Sequence, residues 1–408
     1  KIYKTYGDGS IEKVSENPYR LARDIFGIGF KMADEIAQRM GVARNSPARL
    51  AAGIEFLLNE LSNEGHVCVP EAELIQLGHE KLEVDNIEAA LPVLLEERRI
   101  ERLSMVLDGS LTPFIWLRNL YVAETGISTE LKRILQQHSP LRSIDTDKAI
   151  AWAESKLNIQ LAPTQKKAVK KALKEKALII TGGPGTGKST ITNVILLIIS
   201  ELTPRLLLAA PTGRAAKRMT EITKRHAKTI HSLLEVNFKE GGFKRNRENP
   251  LECDFIVIDE SSMIDTPLMY ALLKAIPSQA RVLFIGDINQ LPSVGPGNVL
   301  KDLIGTQLIP TVELTEIFRQ AQGSQIILNA HRINKGTVPD LKPNREGDFF
   351  FIEENIPEKL LAQLIALVSV RLPHTYKLSP LHDIQVLAPM RRGVIGIENL
   401  NNALQEAL

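Results

Sequence analysis

Gly182-Gly183-Pro184-Gly185-Thr186-Gly187-Lys188-Ser189 follows the aliphatic run Ala177 to Thr181 and leads into a second apolar stretch ending at Ile199. Strand, glycine-rich loop and helix in direct succession are the context in which this pattern forms a phosphate-cradling loop. Glycines let the loop turn its backbone N–H groups inward, and the positive end of the following helix adds to the anion site. Lys188 is expected to reach the β and γ phosphates of a nucleoside triphosphate and Ser189 to bind Mg²⁺. Gly183, Pro184, Gly185, Thr186, Gly187 and Thr190 complete the cradle.

Outward from this loop the texture is strand, loop, helix, repeated. Arg205 to Ala210, Phe255 to Ile258 and Val282 to Ile285 are aliphatic runs like Ala177 to Thr181, as expected of strands covered by helices on both faces. The fold class is therefore read as α/β, with a parallel sheet over residues 151–315. Asp259 and Glu260 close the run that starts at Phe255, placing two carboxylates at the carboxyl edge of a strand that faces the same crevice as the loop. Asp259 is expected to hold Mg²⁺ through water. Glu260 is positioned to orient and deprotonate an attacking water, a role that a hydrolase needs and a passive nucleotide binder does not.

Composition bounds the rest. With 408 residues, 44% of them apolar, the chain should form several units with their own cores. A net charge of +2, from 50 basic and 48 acidic side chains, gives no whole-molecule attraction to a polyanion, so nucleic-acid binding would rest on local clusters. Cys68 and Cys253 make neither a disulfide framework nor a zinc spacing, and the longest aliphatic run, Val194 to Ile199, is far short of a membrane span. A cytoplasmic protein without a membrane partner is expected. Lys1 falls in mid-pattern and Leu408 inside an apparent helix, so the chain reads as part of a longer one.

Residues 1–48 hold short amphipathic helices, Pro18 to Phe26 and Lys31 to Met40, around Gly27-Ile28-Gly29. Residues 49–136 suggest a small helical, winged-helix-like domain with short apolar segments at His66 to Val69 and Arg99 to Leu103. A linker over 137–150 precedes the sheet. Residues 316–408 suggest a partial second α/β lobe, with strands near Phe349 to Ile352 and Ile384 to Leu387 around a helix at Pro357 to Val370.

Five further segments resemble the RecD-like DNA helicases of superfamily 1B. They are Ala210-Pro211-Thr212-Gly213-Arg214-Ala215-Ala216-Lys217, Thr229-Ile230-His231-Ser232-Leu233-Leu234, Asp259-Glu260-Ser261-Ser262-Met263, Pro292-Ser293-Val294-Gly295-Pro296-Gly297 and Gln385-Val386-Leu387-Ala388-Pro389-Met390-Arg391. The resemblance is close from about Leu161 onward and looser before it. It implies two RecA-like lobes with ATP between them, and 5′ to 3′ movement on single-stranded DNA that unwinds duplex in repair or recombination. Partners would be single strands, single-strand/duplex junctions and the subunits of a recombination complex. Leu161-Ala162-Pro163-Thr164-Gln165 looks like the adenine-reading motif of superfamily 1, so Gln165 implies a preference for ATP. Gly286-Asp287-Ile288-Asn289-Gln290-Leu291-Pro292 resembles the motif whose glutamine, here Gln290, senses the γ-phosphate. Arg319 stands where such helicases set an arginine against that phosphate. Members of the family carry further motifs on the second lobe that are not found here, so the chain is expected to lack the C-terminal part of that lobe. Two other readings stay open: an NTPase switch or subunit without autonomous unwinding, and a DNA-anchoring module with a structural ATP site. Glu260, Gln290 and Arg319 speak against the second, since passive binding requires none of them.

Residues Arg214 to Arg247 hold ten Lys/Arg and three Glu, an excess that suits a phosphate path or simply a solvated helix face. Pro211, Thr212, Arg214, Lys217, Thr229 and His231 lie in segments that resemble the family's contacts to the DNA backbone, which position a strand without reading its sequence. Residues Val236 to Glu248 read as a hairpin around Gly241-Gly242. In the family a hairpin here splits the duplex, with Phe238 and Phe243 placed to stack on bases and Lys244 beside them; a plain surface hairpin is the alternative. Gly27 and Gly29 belong to a stretch, Ile25 to Phe30, that resembles helix-hairpin-helix motifs gripping a phosphate through loop N–H groups, or else an ordinary packed corner.

Overall fold

The computed structural model describes residues 1–25, 27–237, 241–316, 323–341 and 347–408. The chain divides into two units, Lys1–Ala321 and Gln322–Leu408.

The first unit begins with helices. Helix Arg20–Asp24 and helix Phe30–Arg39 meet at a turn in which Gly27 takes φ +90°, a conformation that side chains rarely adopt, and Gly29 caps the second helix. Arg49, on helix Pro47–Asn63, grips the buried Asp34 carboxylate two-pronged, with Nε to Oδ1 at 2.8 Å and Nη2 to Oδ2 at 3.1 Å, and Tyr19 Oη donates to Asp34 Oδ1 at 2.7 Å. Burial would raise the Asp34 pKa, but these donors outweigh it and hold the carboxyl below its ordinary range. Strands β1 (Cys68–Pro70), β2 (Ile100–Leu107) and β3 (Ser110–Leu117) form an antiparallel sheet in the order β1-β3-β2. Asp108 (φ 48°) and Gly109 (φ 80°) connect β2 to β3, the positive-φ pair that a two-residue hairpin turn demands. One hydrophobic core, running from Leu21 and Ala33 through Ile54 and Leu74 to Ile100, Ile115 and Leu120, serves the helices and this sheet together.

Helix Arg118–Leu135 leads out of that core into the next. Its Ile127, Leu131 and Ile134 pack among Met269, Leu272 and Leu273, residues of helix Thr266–Ala275. Close approach is possible because position 126 is glycine: a Cβ there would lie 2.2 Å from the Tyr270 ring. Gly126→Val is therefore expected to cost about 1 to 3 kcal/mol through overpacking, read as a lowered denaturation midpoint; an unchanged midpoint would show that the helices separate freely.

The central sheet has six strands, β4 (Ala177–Gly182), β5 (Leu206–Ala210), β6 (Lys228–Thr229), β7 (Phe255–Ile258), β8 (Arg281–Gly286) and β9 (Thr311–Leu314), in the order β6-β5-β7-β8-β4-β9. All its pairings are parallel, and β4, β7 and β8 are fully buried. Two cores lie against it. One contains Ile191, Ile195 and Ile199 of helix Lys188–Ser200; the other contains helix Thr266–Ala275 and helix Val299–Thr306. The four strands read from aliphatic runs are present, each within a residue of its expected bounds. Thr311–Leu314 and the two-residue edge Lys228–Thr229 were not among them.

In the second unit the helix expected at Pro357 to Val370 forms, as Pro357–Ala366 followed by a π-helical turn over Leu367–Arg371. The strands expected at 349–352 and 384–387 do not: neither segment pairs among the described residues, and Phe350, Phe351, Ile352 and Leu387 are exposed. An apolar run makes a strand only where a neighbour takes up its N–H and C=O groups, and among the described residues none pairs with these two. Among the described residues no helix is long and apolar enough to cross a membrane.

Candidate nucleotide site

Strands β7, β8 and β4 are neighbours, so the loops that leave their carboxyl ends converge. The loop after β4 turns through Gly185 (φ 75°) and Gly187 (φ 82°) into helix Lys188–Ser200. The loop after β7 carries Asp259 and Glu260, and the loop after β8 carries Asp287 and Gln290. Together they surround a cavity of about 830 Å³ lined by Gly183 to Thr190, Asp259, Glu260 and Gln290 on one side and by Ile159, Gln160 and Arg218 on others.

The charges in this cavity are strained by burial. Lys188 Nζ donates to Gly182 O and, at 3.1 Å, to Gly183 O, and stands 4.0 Å from Asp287 Oδ2. Burial pushes its pKa down, against the pull of Asp287, Glu260 and Asp259. Burial likewise raises Asp259, opposed by the Glu260 N–H that donates to its Oδ1 at 2.9 Å and by Lys188 and Arg218. Glu260 is raised by burial and by the charge of Asp259, and Lys188 and Arg218 oppose. Its backbone sits at φ 51°, ψ 40°, the left-handed region that non-glycine residues seldom occupy, where the chain swings from β7 into the 3₁₀ turn Ser261–Met263.

Asp287 escaped the sequence reading as a site residue. It is buried beside Lys188, and it also accepts from the Gln290 amide at 3.3 Å and from Asn289 N at 3.1 Å, so one carboxylate links the phosphate-loop lysine to Gln290. The segment after β8 contains it, but its partner Lys188 is distant in sequence and the pairing follows only from strand order. Gln165 is buried, with its amide engaged on both sides. It is 1% exposed, its Oε1 accepts from Ala162 N at 3.1 Å and its Nε2 donates to Thr186 O at 3.2 Å. Gln160 and Ile159 line the cavity in its stead. Arg319 lies outside the described residues.

The backbone-contact candidates gather at the carboxyl ends of β5 and β6, the same edge of the sheet. Pro211 and Thr212 follow β5, and the Thr212 hydroxyl accepts from Ala215 N at 3.2 Å to cap helix Gly213–Thr223, which carries Arg214 and Lys217. Thr229 caps the next short helix through Ser232 N at 3.1 Å. Both hydroxyls are thus engaged as caps. Among the described residues of the hairpin segment Val236 bridges Phe243, and Gly241 and Gly242 take positive φ. Phe243 does not stand free at its tip: the ring packs 5.7 Å from that of His231 and against the lobe's core. Lys244 N donates to Glu235 O at 2.9 Å, Arg245 pairs with Glu235 at 2.8 Å, and Arg247 pairs with the buried Glu130, so the base is pinned. Phe238 lies outside the described residues.

A parallel sheet in this order, with a phosphate loop, two acids and a glutamine on adjacent strand ends, defines a RecA-like P-loop nucleotide-binding lobe. Residues 165–296 match the AAA domain family, and residues 1–68 match the helix-hairpin-helix domain of the ATP-dependent RecD2 DNA helicase. The chain is similar to the ATP-dependent RecD2 DNA helicase of Deinococcus radiodurans, 31% identical over 414 residues, which cover 99% of this chain and 55% of that protein. It is also similar to the RecBCD enzyme subunit RecD of Haemophilus influenzae, 40% identical over 163 residues, 34% of this chain and 26% of that subunit. The crystal structure of Pif1 helicase from Candida albicans aligns with a TM-score of 0.38 at 23% identity, over 53% of this chain and 55% of that one. The RecD-like resemblance read from the motifs therefore extends along nearly the whole chain, which spans about half the length of the first of these relatives.

Proposed function

We propose that this chain supplies the ATP-hydrolysing lobe of a cytoplasmic DNA helicase that moves 5′ to 3′ on single strands and opens duplex at junctions, in repair or recombination. The observation that carries it is the convergence of Lys188, Ser189, Asp259, Glu260 and Gln290 on one cavity at three adjacent strand ends. Lys188 turns from the Gly182 and Gly183 carbonyls to the phosphates of ATP. Glu260 orients the attacking water and takes its proton. Gln290, held by Asp287, faces the γ-phosphate and changes partners when that phosphate leaves.

The donors also fit Mg²⁺. The Ser189 hydroxyl makes no hydrogen bond among the described residues, and with the Asp259 carboxylate it offers the hard oxygen ligands that this ion takes. Bound there, the ion would neutralise charge developing on the phosphates.

For Gln165 the proposal is an exchange: its amide leaves Ala162 N and Thr186 O for the adenine edge. Gln165→Ala should then weaken ATP by roughly 1 to 3 kcal/mol more than GTP, and should weaken GTP slightly as well because the tie to the phosphate loop goes with the amide. Competition binding reads both; an unaltered ATP-to-GTP ratio would leave Gln165 as a structural tie alone.

The whole proposal is tested by unwinding with the purified full-length protein. Duplexes with a 5′ single-stranded tail should open in the presence of ATP and those with a 3′ tail should not. Hydrolysis stimulated by DNA without opening of either would favour the subunit reading, for which the similarity to RecD, a subunit of a larger enzyme, is the supporting observation.

A further inference from the structure

Helix Gly213–Thr223 presents two adjoining faces. Ala215, Arg218 and Ile222 recur at the spacing of a single helix face, and all three line the nucleotide cavity. Arg214 and Lys217, the candidates for DNA phosphates, each precede a cavity-facing residue by one position and so lie on the neighbouring face. Arg218 has no hydrogen bond or ion pair among the described residues, yet its charge is felt by Lys188, Asp259 and Glu260. Asp259 and Glu260 line the cavity and the buried Asp287 stands 4.0 Å from Lys188 Nζ, so three carboxylates lie near that ammonium. Lys188 and the Mg²⁺ proposed at Ser189 and Asp259 offset part of this negative charge, and a triphosphate gains from a further cation that faces the cavity. A guanidinium fork suits phosphate oxygens, and this one is unengaged.

We propose that Arg218 is a further phosphate-contacting cation beside Lys188, which binds the β and γ phosphates from the helix that carries the DNA motif and so makes nucleotide affinity respond to a strand lying along Arg214 and Lys217. The inference rests on the proposed function and names the residue that joins its two ligands. Movement of a short rigid helix by a strand on one face necessarily moves a side chain on the adjoining face, and a one-ångström displacement of an ion-paired fork is enough to change affinity.

The test measures binding of a non-hydrolysable ATP analogue and of AMP to the full-length protein, with and without oligothymidylate. Arg218→Ala should weaken the analogue about tenfold or more while leaving AMP, which lacks the β and γ phosphates, unchanged, and it should abolish the effect of oligothymidylate on the analogue's affinity. Arg218→Lys should recover part of both. Wild-type affinity in Arg218→Ala overturns the assignment, as does an equal loss of AMP and analogue, which would mean that the side chain merely shapes the cavity. Weakened analogue binding with an intact oligothymidylate effect overturns the coupling role. Wild-type ATP hydrolysis, measured alongside with oligothymidylate, reports separately on the underlying reading: its absence counts against the helicase itself, whatever Arg218 does.

Discussion

Glu260→Gln is expected to leave ATP bound and to lower its turnover by several powers of ten. On the proposed reading the carboxylate contributes in two ways, as the base that accepts the proton of the attacking water, worth roughly 10²- to 10⁴-fold, and as the group that holds that water in line. Glutamine is nearly the same shape, so the left-handed backbone at this position and the 3₁₀ turn behind it should persist. Lys188→Ala should behave in the opposite manner, losing nucleotide affinity by about a hundredfold because the part-buried ammonium proposed to meet the phosphates is removed. Equilibrium binding and steady-state hydrolysis on the two variants separate these outcomes. Near-normal turnover in Glu260→Gln would remove Glu260 from the chemistry, and normal affinity in Lys188→Ala would remove the lysine from the phosphate site.

Loss of duplex opening with retention of strand-stimulated hydrolysis is expected when the hairpin tip, residues 237–242, is replaced by a short Gly-Ser turn. The design follows from the base of the hairpin. Phe243 packs against His231 and the core, Arg245 is paired with Glu235, and Arg247 with Glu130, so removing the entire hairpin would disturb the lobe. A tip-only exchange keeps those contacts, Phe243 included, and removes Phe238, the other aromatic proposed to stack on the terminal bases, a base–aromatic contact being worth about 1 to 3 kcal/mol. Gel-based unwinding and ATP hydrolysis on the same preparation distinguish the cases. A parallel fall in both would make the tip part of the strand-tracking path, and unimpaired opening would make it a surface turn.

How much of this could be read from residues alone depended on what held each feature in place. Strands β4, β5, β7 and β8 were legible because they are central and buried, so each is a continuous aliphatic run. Strand β9 sits at the sheet's edge, where Glu313 faces solvent and interrupts the run, and its pairing with β4 is a long-range event. The β2–β3 hairpin had a local signal in Asp108-Gly109, but exposed apolar residues at Leu103, Val106 and Leu111 blurred the alternation that would have marked its strands. The apolar segments near Phe350 and Leu387 misled for the converse reason, since composition alone cannot supply a pairing partner. At the nucleotide site the loop, Asp259, Glu260 and Gln290 followed from motif and context. Asp287, Arg218 and Gln160 did not, because what brings them to the cavity is the order of strands and the turn of a helix.

The most direct measurement is ATP hydrolysis by the purified full-length protein, wild type and Glu260→Gln, with and without a single-stranded oligonucleotide. If the cavity at the ends of β4, β7 and β8 is the engine of a DNA motor, wild-type hydrolysis rises when the strand is added and Glu260→Gln shows almost none in either condition. Hydrolysis indifferent to DNA, or undiminished in Glu260→Gln, would contradict the account.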